Sequence, residues 1–349
     1  MNKDVIYIRR CISLAAKGLG NVAPNPMVGC VIVHNGQIIG EGYHREFGGP
    51  HAEVNAISSV KKTELLKKST LYINLEPCAH FGKTPPCSDL IIKTGIPKVV
   101  FGTIDCCEKV TGKGIQKLKS AGIEVIHGIL DDECRELNKR FFTFHEKKRP
   151  YIILKWAETS DGFIGMKRDA NAEKKPVWVS NKMIRLLVHK WRSEEQAIIV
   201  GTNTALSDNP ILNARDWNGK NPLRIVTDRN LRLPENLHLF DGSIPTIVLT
   251  SHKNSQKKSD KVEYTGIDFD KHFTEQLCEI LYTKQIQSLI VEGGRQLLQS
   301  FVDAGIWGEA RIVTGESKFL EGIKAPEISG KTMSETVFRN NKLTILRNF

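Results

Sequence analysis

Apolar positions at Val5, Ile8, Ile12, Ala15, Ala16 and Leu19 recur every three or four residues and predict an amphipathic helix over residues 4–19. The pattern then changes to strand-like runs over 28–34 and 37–43, joined by Asn35-Gly36, the pair that a two-residue type I′ hairpin favours. A helix from His51 to about Val60 and a strand over 70–75 follow. Pro85-Pro86 precede the next helix, since proline is tolerated in a first turn. Strands over 98–102 and 124–127 alternate with helices over 114–121 and 131–146, which predicts a partly parallel sheet covered by helices. Further strands are read at 151–156, 197–201, 223–227, 246–250 and 288–291. Helices are read from Ser180, a plausible N-cap, to about Arg192, and at 271–283 and 295–305.

The run Lys147-Lys148-Arg149-Pro150 closes one helix and stands just before a new apolar strand, so it divides the chain into domains of residues 1–147 and 148–349. A length of 349 residues suits two domains, each with its own core. With 26% charged and 40% apolar residues, the composition is that of a globular protein. The net charge of +11 favours an anionic partner, whether a nucleic acid, a phosphorylated metabolite or a phosphate-bearing cofactor. Eight irregularly spaced cysteines in so long a chain predict reduced thiols and a cytoplasmic protein. No apolar run approaches the roughly 20 residues of a membrane span.

The candidate chemistry gathers between His51 and Cys87. A catalytic zinc takes three protein ligands and leaves a fourth position for water. His51, Cys78 and Cys87 supply one imidazole and two thiolates. Glu53 would not share a mid-helix face with His51, so it is read as the base serving the water, not as a fourth ligand. This is the H-x-E and P-C-x-x-C logic of zinc base deaminases, except that eight residues separate the two cysteines. A structural zinc or two unrelated buried thiols is the plainer alternative. Farther on, Glu292-Gly293-Gly294-Arg295 lies between a strand and a helix, where main-chain N–H groups can meet a phosphate. By itself that turn is a weak signal. Likewise Arg192 alone could be a solvated helix end, and Arg229 is read as a surface arginine in preference to a partner for a 2′-phosphate.

The insert Ala79-His80-Phe81-Gly82-Lys83-Thr84-Pro85-Pro86 and the stretch Pro24-Asn25-Pro26-Met27-Val28-Gly29 resemble the metal loop and PNPxVG segment of the riboflavin-biosynthesis deaminases. Lys155-Trp156-Ala157-Glu158-Thr159-Ser160-Asp161-Gly162, the run from Gly201 to Pro210 and Val291-Glu292-Gly293-Gly294 resemble, in order, three segments of the reductase domain in the bifunctional members of that family. In the first, the serine stands one place closer to the aspartate than in the family pattern. The resemblance implies a cytidine-deaminase-like α/β/α domain followed by a dihydrofolate-reductase-like α/β domain. It implies zinc in the first and NADPH in the second, acting in turn on one phosphorylated pyrimidine, with no nucleic acid or membrane partner and with self-association into a homo-oligomer.

Residue by residue, the resemblance puts Asn25, His44, His80, Lys83 and Asp105 around the deaminase substrate. It puts the nicotinamide cofactor near Ala157, Trp178, Thr204, Asp208 and the segment Gly294, Arg295, Gln296, Leu297, Leu298, Gln299 and Ser300. The reductase substrate falls to Lys155, Arg192, Leu212, Arg215 and Glu292. The chain departs from the family pattern at Cys106-Cys107-Glu108, where Pro-Asn-Pro is usual, and at Asn209, where an aspartate is usual. It also lacks the usual Pro-x-Leu-x-Gly between Ala310 and Pro326. A deaminase acting on tRNA or free cytidine, and a noncatalytic zinc scaffold, are the rival readings. The first expects aromatic and basic residues interleaved in the second half, and the second leaves Glu53 without a task.

Overall fold

The structure is a computed structural model that describes residues 3–79, 81, 85–107, 111–166, 179–252 and 260–349. The chain divides into two units, Met1–Lys148 and Arg149–Phe349. The first contains α1 (Lys3–Ala15), β1 (Gly29–His34), β2 (Gln37–Tyr43), α2 (Ala52–Ser58), β3 (Thr70–Leu75), α3 (Cys87–Thr94), β4 (Lys98–Thr103), α4 (Lys113–Ser120), β5 (Glu124–His127), α5 (Asp131–Leu137) and α6 (Lys139–Lys147). Among the described residues its sheet runs β2-β1-β3-β4-β5, antiparallel at β2/β1 and β1/β3 and parallel thereafter. The hairpin turn has φ of 49° at Asn35 and 78° at Gly36, the positive values a type I′ turn needs.

Strand alternation builds two cores in this unit. Cys30, Ile32, Leu71, Ile73, Val99 and Phe101 face α2, α3 and α4, while Val31, Val33, Tyr72 and Val100 face α1 and α5. The result is a three-layer α/β/α unit. Gly42 lets α2 lie close on β2, since a Cβ there would come within 2.5 Å of the Ala56 nitrogen. That contact seats the helix that follows His51.

The helix expected over 131–146 is two helices, broken at Asn138 (φ −98°, ψ 23°). The break lets a buried amide do tertiary work. Asn138 Oδ1 accepts the Met27 N–H at 2.8 Å, and its Nδ2 donates to the Met27 carbonyl at 2.9 Å. Asn74 Nδ2 donates to the same carbonyl at 3.0 Å and Asn74 Oδ1 accepts the Gly29 N–H at 2.8 Å, so two buried amides fix the loop that carries Asn25.

The second unit contains β6 (Tyr151–Glu158), β7 (Phe163–Gly165), α7 (Lys182–Glu194), β8 (Ala197–Val200), α8 (Thr202–Asp208), β9 (Leu223–Thr227), β10 (Thr246–Thr250), β11 (Val262–Gly266), α9 (Phe273–Thr283) and β12 (Ser288–Glu292). It continues through α10 (Arg295–Asp303), β13 (Glu309–Gly315), β14 (Ile323–Lys324), β15 (Lys331–Phe338) and β16 (Asn341–Arg347). Its main sheet runs β11-β10-β9-β8-β12-β6-β13-β16-β15. Neighbours are parallel as far as β13, and β16 and β15 complete it antiparallel. One face packs Ile152, Leu154 and Trp156 against α9 and α10, and the other packs Tyr151 and Ile153 against α7. The N-cap of α7 is Asn181, whose Oδ1 accepts the Ile184 N–H at 3.0 Å, and not Ser180 as the sequence suggests.

Candidate functional site

His51 is not inside a helix. It occupies the extended position before α2, with φ −70° and ψ 165°. That geometry removes the face problem of an i, i+2 pair, so His51 and Glu53 need not point apart. Cys78 lies in the loop after β3, and Cys87 is the first residue of α3, where the chain leaves Pro86. These three converge: the ligand atoms of His51, Cys78 and Cys87 all lie within 4.8 Å of one another. His51 Nδ1 is 3.7 Å from Cys78 Sγ and 3.3 Å from Cys87 Sγ. A tetrahedron with metal–ligand bonds of about 2.0–2.3 Å has edges of roughly 3.5 Å, so the donor set fits a zinc ion in both chemistry and spacing. Among the described residues no second such cluster occurs.

The electrostatics of the trio also suit a cation. The Cys87 N–H donates to Cys78 Sγ at 3.3 Å. Hydrogen bonding from the Cys87 thiol and from His51 pulls the Cys78 thiol down to about 4, while Cys87, as the donor of that pair, is raised. Glu53 is 3% exposed; burial first, and then the negative Cys78, push its carboxyl up to about 7.

Around the trio, His44 is buried, with Nε2 3.1 Å from Asn25 Nδ2 and Nδ1 3.0 Å from the Pro50 carbonyl. Its ring stands edge-on to His51 at 5.4 Å, and burial lowers its pKa. Asp105 is buried, raised to about 6 chiefly by that burial, and accepts the Cys107 N–H at 2.7 Å. His80 and Lys83 lie outside the described residues.

Sequence reasoning missed Glu76, which stands two residues before Cys78. Its buried carboxylate accepts the N–H groups of Gly112 at 3.1 Å, Gly114 at 3.0 Å and Ile115 at 3.3 Å, where α4 begins. It also accepts the Asp105 N–H at 3.4 Å. A carboxylate suits the positive end of a helix. Gly114 is required there, because a Cβ would come within 2.2 Å of the Pro77 carbonyl. Glu76 thereby ties the Asp105 loop to the segment that bears Cys78. An acidic residue placed directly before a Pro-Cys ligand was the available signal.

In the second unit Glu292, the last residue of β12, is the register partner of Lys155, three residues before the end of β6; the carboxyl end of a parallel strand is where ligands bind in open α/β sheets. Arg192, from α7, grips Glu292 through Nη2 to Oε2 at 2.8 Å and Nε to Oε1 at 3.2 Å, and Lys155 Nζ lies 3.9 Å from Oε2. Burial would raise Glu292, but Arg192 and Lys155 outweigh it and hold the carboxyl at about 2. Burial lowers Lys155, partly offset by Glu292. Arg215 is exposed and its Nη1 donates to Asn213 Oδ1 at 2.9 Å. Leu212 has φ 55° and its side chain is buried in the core, so only its main chain is free to meet a ligand.

Gly294 stands at the N-cap of α10 and its N–H donates to Thr204 Oγ1 at 3.1 Å. Of the segment after it, Leu298 is buried in the core, Ser300 Oγ donates to the Leu297 carbonyl, and Arg295 and Gln299 are bonded to Glu327. Asp208 ends α8, and Asn209, with φ 40°, accepts the His238 N–H at 2.8 Å. Ala157 packs against the core, and Trp178 lies outside the described residues. The buried hydroxyl of the turn after β6 is that of Thr159, which accepts the Phe163 N–H at 3.0 Å; Ser160 is exposed. Arg229 is paired with Asp270 at 2.9 and 2.5 Å, on the surface.

Two family descriptions match the chain: the cytidine and deoxycytidylate deaminase zinc-binding region over residues 1–103, and the RibD C-terminal domain over residues 150–343. The chain is 42% identical to riboflavin biosynthesis protein RibD of Actinobacillus pleuropneumoniae over 312 residues, 87% of this chain and 81% of that one. It is 38% identical to RibD of Aquifex aeolicus over 339 residues, 96% and 93% of the two chains. The crystal structure of a diaminohydroxyphosphoribosylaminopyrimidine deaminase/5-amino-6-(5-phosphoribosylamino)uracil reductase from Thermotoga maritima superposes with a TM-score of 0.89 at 36% identity, covering 99% of both chains. A structure of Acinetobacter baumannii RibD gives 0.89 at 31% identity, also covering 99% of both.

Proposed function

The chain belongs to the RibD family and is a bifunctional riboflavin biosynthesis enzyme, a zinc-binding cytidine-deaminase-like unit followed by a reductase unit, and from that premise we propose which residues carry its two reactions. The first is hydrolytic deamination of 2,5-diamino-6-ribosylamino-4(3H)-pyrimidinone 5′-phosphate. The second is NADPH-dependent reduction of the ribosyl side chain to ribityl. The observation that carries the reading is the convergence of His51, Cys78 and Cys87 beside a buried glutamate.

His51, Cys78 and Cys87 would hold zinc, which supplies a Lewis acid that brings deprotonation of water close to neutral pH. Glu53 takes one proton from the attacking water and passes it to the ring nitrogen next to the amino-bearing carbon, then takes the second from the hydroxyl now on that carbon and hands it to the amino group, which leaves as ammonia as the carbonyl forms. Asn25 and His44, joined at 3.1 Å, and Asp105 orient the pyrimidine. His80 and Lys83 serve its phosphate.

In the second unit the nicotinamide cofactor, read as NADPH, supplies the hydride. Ala157, Trp178, Thr204, Asp208 and the start of α10 cradle it, the helix offering unpaired N–H groups to its phosphates. Lys155, Arg192, Arg215, Glu292 and the main chain at Leu212 hold the ribosylaminouracil phosphate, with the two guanidiniums on the phosphate. The chain is read as a cytoplasmic homo-oligomer; light scattering on the purified protein tests its assembly.

One assay tests the whole reading. The purified enzyme should carry one zinc per chain, release ammonia from the diaminopyrimidine phosphate, and oxidise NADPH when given the deaminated product. Ammonia release without NADPH oxidation would reject the reductase assignment, and the reverse would reject the deaminase assignment.

A further inference from the structure

One buried side chain beside the reductase site has no part in the chemistry above. His189 is 4% exposed and lies one helical turn before Arg192 on α7, so the two share a face. Its Nδ1 is 2.9 Å from the Asn213 carbonyl oxygen, and Arg192 Nη1 donates to that same oxygen at 3.3 Å. The other end of Asn213 is also engaged, its Oδ1 accepting Arg215 Nη1 at 2.9 Å. Asn213 is thus a junction. Its carbonyl is held by α7 and its side chain holds Arg215.

The loop beyond Asn213 is clasped to the same helix. Ala214 N–H donates to Asn221 Oδ1 at 2.9 Å and Trp217 N–H to the Ala214 carbonyl at 2.9 Å. Lys190 Nζ stands 5.5 Å from the centre of the Trp217 ring. Gly219 packs so closely on Ser193 that a Cβ there would fall 2.6 Å from the serine Cβ. His189 Nε2 lies 3.1 Å from Asp216 Oδ2, a carboxylate about half exposed. A carbonyl accepts, so the Asn213 contact requires the proton on Nδ1. Burial, and then the charges of Arg192 and Arg215, lower the His189 pKa, while Asp216 and the Asn213 carbonyl act in the opposite direction.

We propose that His189 is a positioning residue for the reductase, which fixes the Asn213 main chain so that Arg215 is brought into line with Arg192 to grip the substrate phosphate. Arg215 is exposed and is anchored on the Asn213 side chain. With Asn213 loose, a long flexible side chain must be ordered at the moment of binding, and the cost falls on substrate affinity. The inference rests on the reading of Arg192 and Arg215 as the phosphate grip.

The test is steady-state kinetics of the reductase step in the intact enzyme, with the ribosylaminouracil phosphate and with its dephosphorylated form, on wild type, His189→Leu, His189→Asn and Arg215→Ala. Leucine removes the donor and keeps the bulk. Asparagine places an amide N–H close to where Nδ1 stood. In His189→Leu, KM for the phosphorylated substrate should rise about tenfold to a hundredfold, the worth of a charge-assisted hydrogen bond. The kcat value, the KM for NADPH, the kinetics of the dephosphorylated substrate and the rate of ammonia release should stay within about threefold of wild type, as loss of uniform binding predicts. His189→Asn should recover most of the loss.

A wild-type KM in His189→Leu, while Arg215→Ala shows the rise, overturns the inference and leaves the phosphate grip standing. An unchanged KM in Arg215→Ala overturns the grip and the inference with it. Equal losses on both substrates, or no recovery with asparagine, mark His189 as a structural residue only. Should His189→Leu fail to fold, Asn213→Ala carries the test: it cuts the Arg215 anchor without touching the helix. It must show the same phosphate-restricted rise, and a flat result overturns the proposal.

Discussion

Glu292, proposed above as a substrate contact, also has a calculable part in stability. Its carboxylate meets Arg192 bidentately and Lys155 more distantly, at 8% exposure. Its folded value of about 2 lies below the roughly 4.3 of an unfolded glutamate. A depressed carboxylate stabilises the fold above its unfolded pKa, and that contribution drains away as pH falls from about 4.3 towards 2. In Glu292→Gln, urea unfolding at pH 6 should therefore show a loss of about 3 kcal/mol, the scale for breaking a buried pair. The gap to wild type should narrow to about half by pH 3 and close only as the pH falls below about 2; a gap of equal size at pH 6 and pH 3 would show that the loss is packing. Glu53 stands in a different relation to its site, since the role proposed for it is in rate. Glu53→Gln should keep one zinc per chain by metal analysis, lose ammonia release by about 10²–10⁴-fold, and leave NADPH oxidation of the deaminated product unchanged. The His51, Cys78 and Cys87 cluster was legible because a zinc site demands particular side chains at particular places in the motif. Glu76 and His189 were not, because their partners are main-chain groups far along the chain, at Gly112, Gly114 and Ile115 for one and Asn213 for the other.

Between residues and units stand the elements, and here the break between α5 and α6 is informative. Helical periodicity ran unbroken through 131–146, yet Asn138 gives up helical geometry to bond both polar groups of Met27. A tertiary partner 111 residues away overrides local propensity. Removing that amide leaves the Met27 N–H without its partner, while Asn74 still serves the carbonyl. Asn138→Ala should then cost about 1–3 kcal/mol in unfolding of the first unit. It should also raise the deaminase KM, because Asn25 rides on the same loop; an unchanged KM beside the stability loss would show that Asn25 holds its place without Asn138. Other elements were harder to read. The edge strand β15 is exposed along nearly its whole length, so it carries no alternation of buried and solvent-facing positions to find. Arg224 lies inside β9 at 0% exposure; its two Nη groups donate to the carbonyls of Ile211, His238 and Ile244 and to Asp241, while its Nε is buried without a hydrogen-bond partner among the described residues. No sequence pattern marks an arginine as core. Central strands such as β8 and β12 were plain, because strands covered on both faces read as continuous apolar runs.

Across the whole molecule, the units Met1–Lys148 and Arg149–Phe349 hold their site residues on different scaffolding, and the consequence is a difference in how each depends on metal. The three zinc-fitting side chains come from the residue before α2, the loop after β3 and the first turn of α3, so a cation there would join three segments whose cysteines are free thiols. Metal binding of this kind contributes directly to folding. In the reductase unit the corresponding work is done by protein groups alone: Lys155 and Glu292 are adjacent in the sheet, and Arg192 reaches them from α7. Stripping metal with a strong chelator should therefore abolish ammonia release while NADPH oxidation of the deaminated product continues at its original rate, and added zinc should restore the first activity. Hydrogen exchange on the intact chain gives the structural counterpart. Amides in residues 51–58 and 87–94 should exchange faster without metal, and those in β6, β12 and α7 should not change. Equal acceleration in both units would show that the ion stabilises the chain as a whole, and no acceleration in either would mean that the imidazole and thiols hold their arrangement without it.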